Sequence, residues 1–334
     1  MTLRPLPEAA VARFGRDLLR LVAQAFDGGT PPGEGRIALA VSGGPDSMAM
    51  LRLATAAMPG RVTVATVDHR LRAESAMEAR LVAEVCAALR VPHRTLVPAA
   101  PITGNSVQMR ARDARYAALT AWAGEAGVAM LLTAHHADDQ AETLLMRLRR
   151  ASGLGGLAAI RAVRSDPFGV VLRPLLGWRR AELRALVEES ATPFVDDPSN
   201  DDPRHDRTAI RALLAATPAL DPVALAASAG FLAEADEVLS QFAERIWATC
   251  WHGAGQPLPA AGEPREVRRR LLRRAIASTR TELGISRPDF RDSANVEGVL
   301  DALETGRAAT QAGILIRPAR DGWIFCAAPP RRSV

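Results

Sequence analysis

The sequence contains no lysine; all 42 of its basic residues are arginine. This excludes Schiff-base chemistry on a lysine and the phosphate-loop lysine of a Walker A motif. Any phosphate site must therefore use arginine forks, backbone amides and metal. Its three cysteines, Cys86, Cys250 and Cys326, are far apart and form no C-x-x-C pair. That excludes a zinc knuckle or a paired redox site and fits reduced thiols in a cytoplasm. Aromatic residues make up 4% of the chain, with Tyr116 the only tyrosine, so no stacking platform for nucleobases is evident. No apolar run reaches the roughly 18–20 residues that span a bilayer. The charged N-terminus also lacks the apolar core of a signal peptide. A cytoplasmic protein with no membrane partner is expected.

What is present is an ordinary globular composition, 48% hydrophobic and 24% charged, over 334 residues with a net charge of +5. This length predicts two domains. Short apolar runs at 36–41, 62–67, 93–97 and 129–133 alternate with helical patterns at 48–58, 74–89, 107–124 and 138–150. An amphipathic helix at 7–26 precedes them. This alternation predicts an α/β fold with a doubly wound parallel sheet. Further on, 170–175 is expected as an edge strand, 178–189 as a helix, 196–202 as a turn and 204–214 as a helix. The boundary falls at Thr217-Pro218, which gives domains 1–216 and 217–334. The second is expected to be mostly helical (220–247 and 265–280), with a small terminal β element around Asp321-Gly322.

Polar clusters begin where three apolar strands end, at Ser42, Asp68 and His135. Ligands of open α/β sheets bind beyond the carboxyl ends of the strands. In Ser42-Gly43-Gly44-Pro45-Asp46-Ser47, the glycines allow a tight turn and close approach to a phosphate. The following helix would direct free N–H groups and its dipole at the anion. Asp139 and Glu142, three apart on a helix, share a face; Asp138, four from Glu142, is the alternative occupant. Carboxylates beside a phosphate loop suit magnesium, with Asp46 and Asp139 as its expected ligands. Adjacent His135 and His136 at a strand end point to opposite sides, so ligation of a metal by both is not expected. Arg112 and Arg115 fit a phosphate or RNA contact, or a solvated helix face. The helix carrying Arg268, Arg269, Arg270, Arg273 and Arg274 likewise fits an RNA surface or a solvated face.

SGGPDS resembles the SGGxDS fingerprint of the PP-loop, or N-type ATP pyrophosphatase, superfamily. Several further segments resemble the tRNA(Ile)-lysidine synthetase family. Val67 to Arg72 is similar to its VDHxLR motif, and Asn105 to Tyr116 to its N-x-x-Q-x-x-A-R-x-x-R-Y stretch. His135 to Thr143 matches HHxDDQxET. Arg173 to Leu176 and Asp197 to Asn200 fit its R-P-L-L and D-P-S-N positions. In the R-N-x-I-R element, Thr208 stands where the family has Asn.

The resemblance implies an ATP-dependent ligase that adenylates C2 of the wobble cytidine in the CAU anticodon of tRNA(Ile) and releases pyrophosphate. L-lysine then displaces AMP to form lysidine, which switches the tRNA from methionine to isoleucine specificity. It also implies ATP contacts from Ser42, Gly43, Gly44, Pro45, Asp46, Ser47, Asp68, His69 and His135, with Mg2+ as cofactor. Asp46, Asp139, Glu142 and Arg207 fall in catalysis, and Arg112, Arg115, Asp138 and Arg211 in substrate binding. Asp139 and Glu142 share catalysis and lysine recognition without a division of roles. A homodimer stays open as the assembly. Three other readings are a PP-loop cytidine thiolase, which lacks its cysteine pairs here, a glutamine-dependent amidating synthetase, for which no ammonia-producing cysteine motif is present, and a noncatalytic RNA-binding module, which would not need the acidic cluster.

Overall fold

The structure, a computed structural model, describes residues 2–29, 35–70, 75–98, 107–196, 206–291 and 293–329. An amphipathic helix, α1 (Glu8–Ala25), opens the chain and buries Phe14, Leu18 and Leu21. The expected alternation follows: β1 (Ile37–Ala40), α2 (Pro45–Ala57), β2 (Val62–Val67), α3 (Ser75–Leu89), β3 (His93–Leu96), α4 (Val107–Glu125), β4 (Met130–Leu132) and α5 (Ala137–Arg149). A short α6 (Leu154–Leu157) leads to a hairpin of β5 (Val163–Asp166) and β6 (Gly169–Leu172). Next come α7 (Arg180–Glu189), α8 (Asp206–Ala216) and α9 (Pro222–Cys250).

Six strands form one sheet in the order β3-β2-β1-β4-β6-β5. All neighbours are parallel except β5, which runs antiparallel to β6. The chain leaves β1 toward β2 on one side and returns to β4 on the other, so β1 and β4 flank the topological switch point where such sheets bind ligands. Strand alternation buries both faces. Ile37, Leu39, Met130 and Leu132 face a core completed by α1, α2, α3 and α7. Ala38, Leu131 and Val171 face a smaller core with Leu119 and Trp122 of α4.

The strand expected at the edge, β6, is interior because β5 covers it. The sequence of β5, Val-Arg-Ser-Asp, carries no apolar run to reveal it. Gly169 turns this hairpin at φ 149°, where a Cβ would lie 2.2 Å from the Ala129 carbonyl oxygen.

Backbone contacts divide the chain into two compact units, Met1–Ala233 and Glu234–Val334, with the division inside α9. The boundary expected at 216–217 lies in the connection from α8 to α9. The second unit continues with β7 (Pro257–Leu258), α10 (Arg265–Glu282), α11 (Glu297–Glu304), β8 (Ala309–Gln311), β9 (Ile314–Ala319) and β10 (Gly322–Ala327). The strands around Asp321-Gly322 are β9 and β10, in an antiparallel sheet of order β7-β10-β9-β8. Its Ile314, Ile316, Trp323 and Phe325 pack on Val267, Leu271, Leu272 and Ile276 of α10. Among the described residues, no helix is long and apolar enough to cross a membrane.

Candidate active site

The glycine turn leaves β1 with Gly43 at φ 94°, a conformation that favours glycine. The Gly43 carbonyl accepts the Val195 N–H at 2.9 Å. Pro45 occupies the first turn of α2, where its missing N–H costs nothing. Ser47 Oγ accepts the Ser42 N–H at 3.1 Å, donates to the Gly44 carbonyl at 2.9 Å and lies 3.2 Å from Ser42 Oγ. The turn is thus braced from within, and the positive end of α2 faces the crevice beside it.

At the tip of β4, His136 caps α5. Its Nδ1 accepts the Asp139 N–H at 3.3 Å, while Asp139 Oδ2 accepts the His136 N–H at 3.2 Å. With Nδ1 accepting, the ring proton belongs on Nε2. That atom lies 3.4 Å from both Asp46 Oδ2 and Asp139 Oδ2. Acids from two different strand tips therefore meet across one imidazole. Burial pushes the His136 pKa down, but the Asp46 hydrogen bond and the charges of Asp139 and Asp46 outweigh it, and the net direction is up. Asp139 is pushed up by burial, yet the charges of His136 and Arg207 carry it below the ordinary carboxylate value. Asp46 Oδ1 is buried and has no hydrogen-bond partner.

One turn further along α5, Glu142 is 1% exposed. Its Oε2 accepts from Arg207 Nε at 2.5 Å, and its Oε1 from Arg211 Nε at 2.7 Å and Arg180 Nη2 at 3.3 Å. Arg207 Nη2 also reaches Asp139 Oδ1 at 3.1 Å. One guanidinium thus spans Asp139 and Glu142, and Asp139 is the aspartate sharing that face. Asp138 turns to α7 instead. It accepts the Arg180 N–H at 2.7 Å and stands 3.3 Å from Arg179 Nη2, an anionic cap on a helix N-terminus.

His135 lies on the other side of the same strand end, with Nδ1 3.0 Å from Thr133 Oγ1. Burial pushes its pKa down to about 3 against the pull of Asp139, helped by Arg173, Arg112 and Arg207. It is neutral near pH 7 and can offer ATP an uncharged imidazole. Arg112 and Arg164 flank the Tyr116 ring at 5.5 and 4.6 Å. At the tip of β2, Asp68 Oδ1 accepts from Ser75 Oγ at 2.6 Å and the Arg70 N–H at 2.9 Å, and the Ser75 bond leads in lowering its pKa. His69 Nε2 receives Arg115 Nε at 3.1 Å, and burial, then Arg115, lowers its pKa.

The structure therefore gathers Asp46, Asp139, Glu142, Arg207 and Arg211 into one contiguous set, with His135 and Arg112 within electrostatic reach. Asp68, His69 and Arg115 form a second set at the neighbouring strand tip. Leu71, Arg72, Asn105, Ser106 and the turn 197–200 lie outside the described residues. Sequence reasoning missed His136 as the bridge between acids, and also Arg179 and Arg180. Capping by the residue before Ala-Asp-Asp was a usable signal for His136; nothing local marks Arg180.

Most arginines of the basic helix α10 meet acids. Arg265 pairs with Glu297, Asp301 and Glu304, and Arg268 with Glu304. Arg269 pairs with Glu266 and Glu297, Arg270 with Asp236 and Glu266, and Arg274 with Glu244. Five of its arginines thus pair with acids of the second unit, while Arg273 donates to the Ala294 carbonyl at 2.8 Å.

The family described as the PP-loop domain matches residues 13–217. The chain is 47% identical over 304 residues to the tRNA(Ile)-lysidine synthase of Novosphingobium aromaticivorans, covering 90% of this chain and 91% of that one. It is 39% identical over 323 residues to the tRNA(Ile)-lysidine synthase of Zymomonas mobilis, covering 94% and 95%. Among solved structures, the U34-tRNA thiolase NcsA of Methanococcus maripaludis with its [4Fe-4S] cluster is similar in fold alone. Its TM-score is 0.52 at 16% identity, over 67% of this chain and 77% of that one. Relatives aligned along nearly the whole length, together with the domain match over the sheet that carries the acids, establish that this chain belongs to the tRNA(Ile)-lysidine synthase family of PP-loop proteins.

Proposed function

We propose that the chain joins L-lysine to C2 of the wobble cytidine in the CAU anticodon of tRNA(Ile), with ATP as the activating substrate. In the first step the C2 oxygen of the cytidine attacks the α-phosphorus of ATP. An O–P bond forms, the bond to the β-phosphate breaks and pyrophosphate leaves. In the second step the ε-amine of lysine attacks C2, the C2–O bond breaks and AMP departs. The amine loses a proton on the way.

The observation that carries this reading is the meeting of Asp46 and Asp139 at His136 Nε2, beside a lysine-free glycine turn. The turn and the α2 N-terminus would receive the polyphosphate, with hydroxyls from Ser42 and Ser47. Among the described residues, no group of three or more His, Cys, Asp or Glu side chains is placed to hold a metal alone. A magnesium ion using one or two protein carboxylates and phosphate oxygens needs no such group, and the orphaned, buried Asp46 Oδ1 fits it. We assign Asp46 and Asp139 to that ion, which would offset charge on the departing pyrophosphate.

Asp139 and Glu142 would supply the negative charge that orients an ammonium, and a carboxylate of this pair would accept the amine proton. Arg207 fixes the two acids relative to each other and adds positive charge near the phosphates. We assign residues 1–216 to catalysis and 217–334 to holding the tRNA.

Incubation with ATP, magnesium, labelled L-lysine and a tRNA(Ile) transcript bearing CAU should label the tRNA and release AMP and pyrophosphate. A tRNA(Met) transcript should stay unlabelled. Folded protein that binds this tRNA yet incorporates no lysine would overturn the reading.

A further inference from the structure

Glu142 is held by arginines from two helices with unequal anchorage. Arg207 and Arg211 come from α8, which buries only Ile210. Arg180 comes from α7, whose Leu183, Leu186 and Val187 are all buried. Leu183, Leu186 and Val187 belong to the main core. Arg180 is further fixed by its own backbone, whose N–H reaches Asp138 Oδ2 at 2.7 Å, so the starts of α5 and α7 are tied together. Its Nη2 reaches Glu142 Oε1 at 3.3 Å, and its Nε lies 3.4 Å from His136 Nε2. A single residue therefore lies beside the bridging histidine, donates its guanidinium to the buried acid and donates its backbone N–H to Asp138.

We infer that Arg180 is a positioning residue of the lysine-transfer step: it anchors Glu142 to the rigid helix α7, so that Arg207 holds Glu142 and Asp139 in one fixed arrangement. Without this anchor Glu142 is tied only to α8, while Asp139 stays on its His136 cap, so the spacing of the two acids follows that helix. A buried carboxylate depends on well-aligned, charge-assisted hydrogen bonds for its orientation. The ammonium of the incoming lysine depends in turn on that orientation. Adenylation draws on the glycine turn and Asp46, which Arg180 reaches only indirectly through His136, and not on the Glu142 contact.

This inference rests on the proposed reaction, and its test separates the two. Arg180→Gln keeps the backbone cap and removes the guanidinium. It should lower kcat/KM for lysine about 10–100-fold, the scale of one charge-assisted hydrogen bond. ATP–pyrophosphate exchange in the presence of tRNA should fall much less than lysine transfer does, and the protein should still melt in a cooperative transition above the assay temperature. In a Glu142→Gln background, Arg180→Gln should add less than about a further twofold loss, because the partner is already gone. Glu189→Ala is the control on the same helix; its side chain is exposed. It should leave the lysine step unchanged.

Normal lysine kinetics in Arg180→Gln would overturn the inference alone. So would an equal loss in exchange and transfer, or a full multiplicative loss in the Glu142→Gln background. No lysine incorporation by the wild type would overturn the reaction and the inference together.

Discussion

Asp139 carries more of the site's geometry than any other single residue. Its two oxygens meet different partners: Arg207 at 3.1 Å on Oδ1, and the His136 backbone and ring on Oδ2. Its pKa is depressed, so it is ionised across the physiological range. Asparagine has the same shape but can neither neutralise a cation nor accept a proton, and its amide would meet donors on both sides. Asp139→Asn should therefore lower kcat about 10²–10⁴-fold, the range of a positioned acid–base group. Binding of the tRNA, read by filter retention, should change by less than about threefold. An equal loss in tRNA affinity would make Asp139 a structural residue. The same scale shows where local reading stops. Spacing along α5 left Asp138 and Asp139 as rivals for the Glu142 face, and the choice fell to Arg207 and to the α7 N-terminus, both remote in sequence.

Among the elements, α10 shows how a charge pattern finds partners that lie outside its own segment. Seven arginines in one helix suggest a polyanion surface, yet five of them meet acids on α9 and α11 and on α10 itself, and Arg273 and Arg280 donate to backbone carbonyls. Two of those acids, Glu297 and Glu244, are shifted down by their arginine hydrogen bonds, Glu297 to about 2. An acid whose folded pKa is depressed adds stability above its unfolded value, and that stability is lost as pH falls through the folded value. The second unit should therefore weaken as pH falls from about 4.5 toward about 2. Trp247 and Trp251, stacked at 4.6 Å with Arg274 over Trp247, report on this region through their fluorescence. Glu297→Gln should flatten the acid limb of the transition. An acid limb identical to wild type would show that the network contributes nothing to stability.

At the scale of the whole molecule, separate cores underlie the two units. Leu39 is fully buried in the sheet core, and Leu271 is 1% exposed in the core of the second unit. Truncating either should cost about 2–5 kcal/mol, the usual range for a buried leucine cut to alanine. Leu39→Ala should lower the transition reported by Trp122 and Trp178, and Leu271→Ala the one reported by Trp247, Trp251 and Trp323. Single-tryptophan variants in urea would check this. Both substitutions shifting one common transition equally would mean that the units unfold as one. The acids of the first unit sit at the switch point beside β1, so Leu39→Ala should also reduce activity at temperatures where the second unit is intact.

The sequence by itself determined the alternation of strand and helix, the glycine turn, the acid segment after β4 and the family. Each of these is a pattern of neighbours: periodicity, a turn composition or a contiguous motif. It concealed β5, which is polar and short, and β7 and β8, which are two and three residues long. Only the tertiary structure decided that His136 joins Asp46 to Asp139, that Arg180 and Arg207 reach Glu142 from different helices, and that α10 spends its charge inside its own unit. Apart from the local His136–Asp139 cap, the site contacts join residues tens of positions apart. Orientation and partner are set there by how helices pack on the sheet, and no local spacing encodes them.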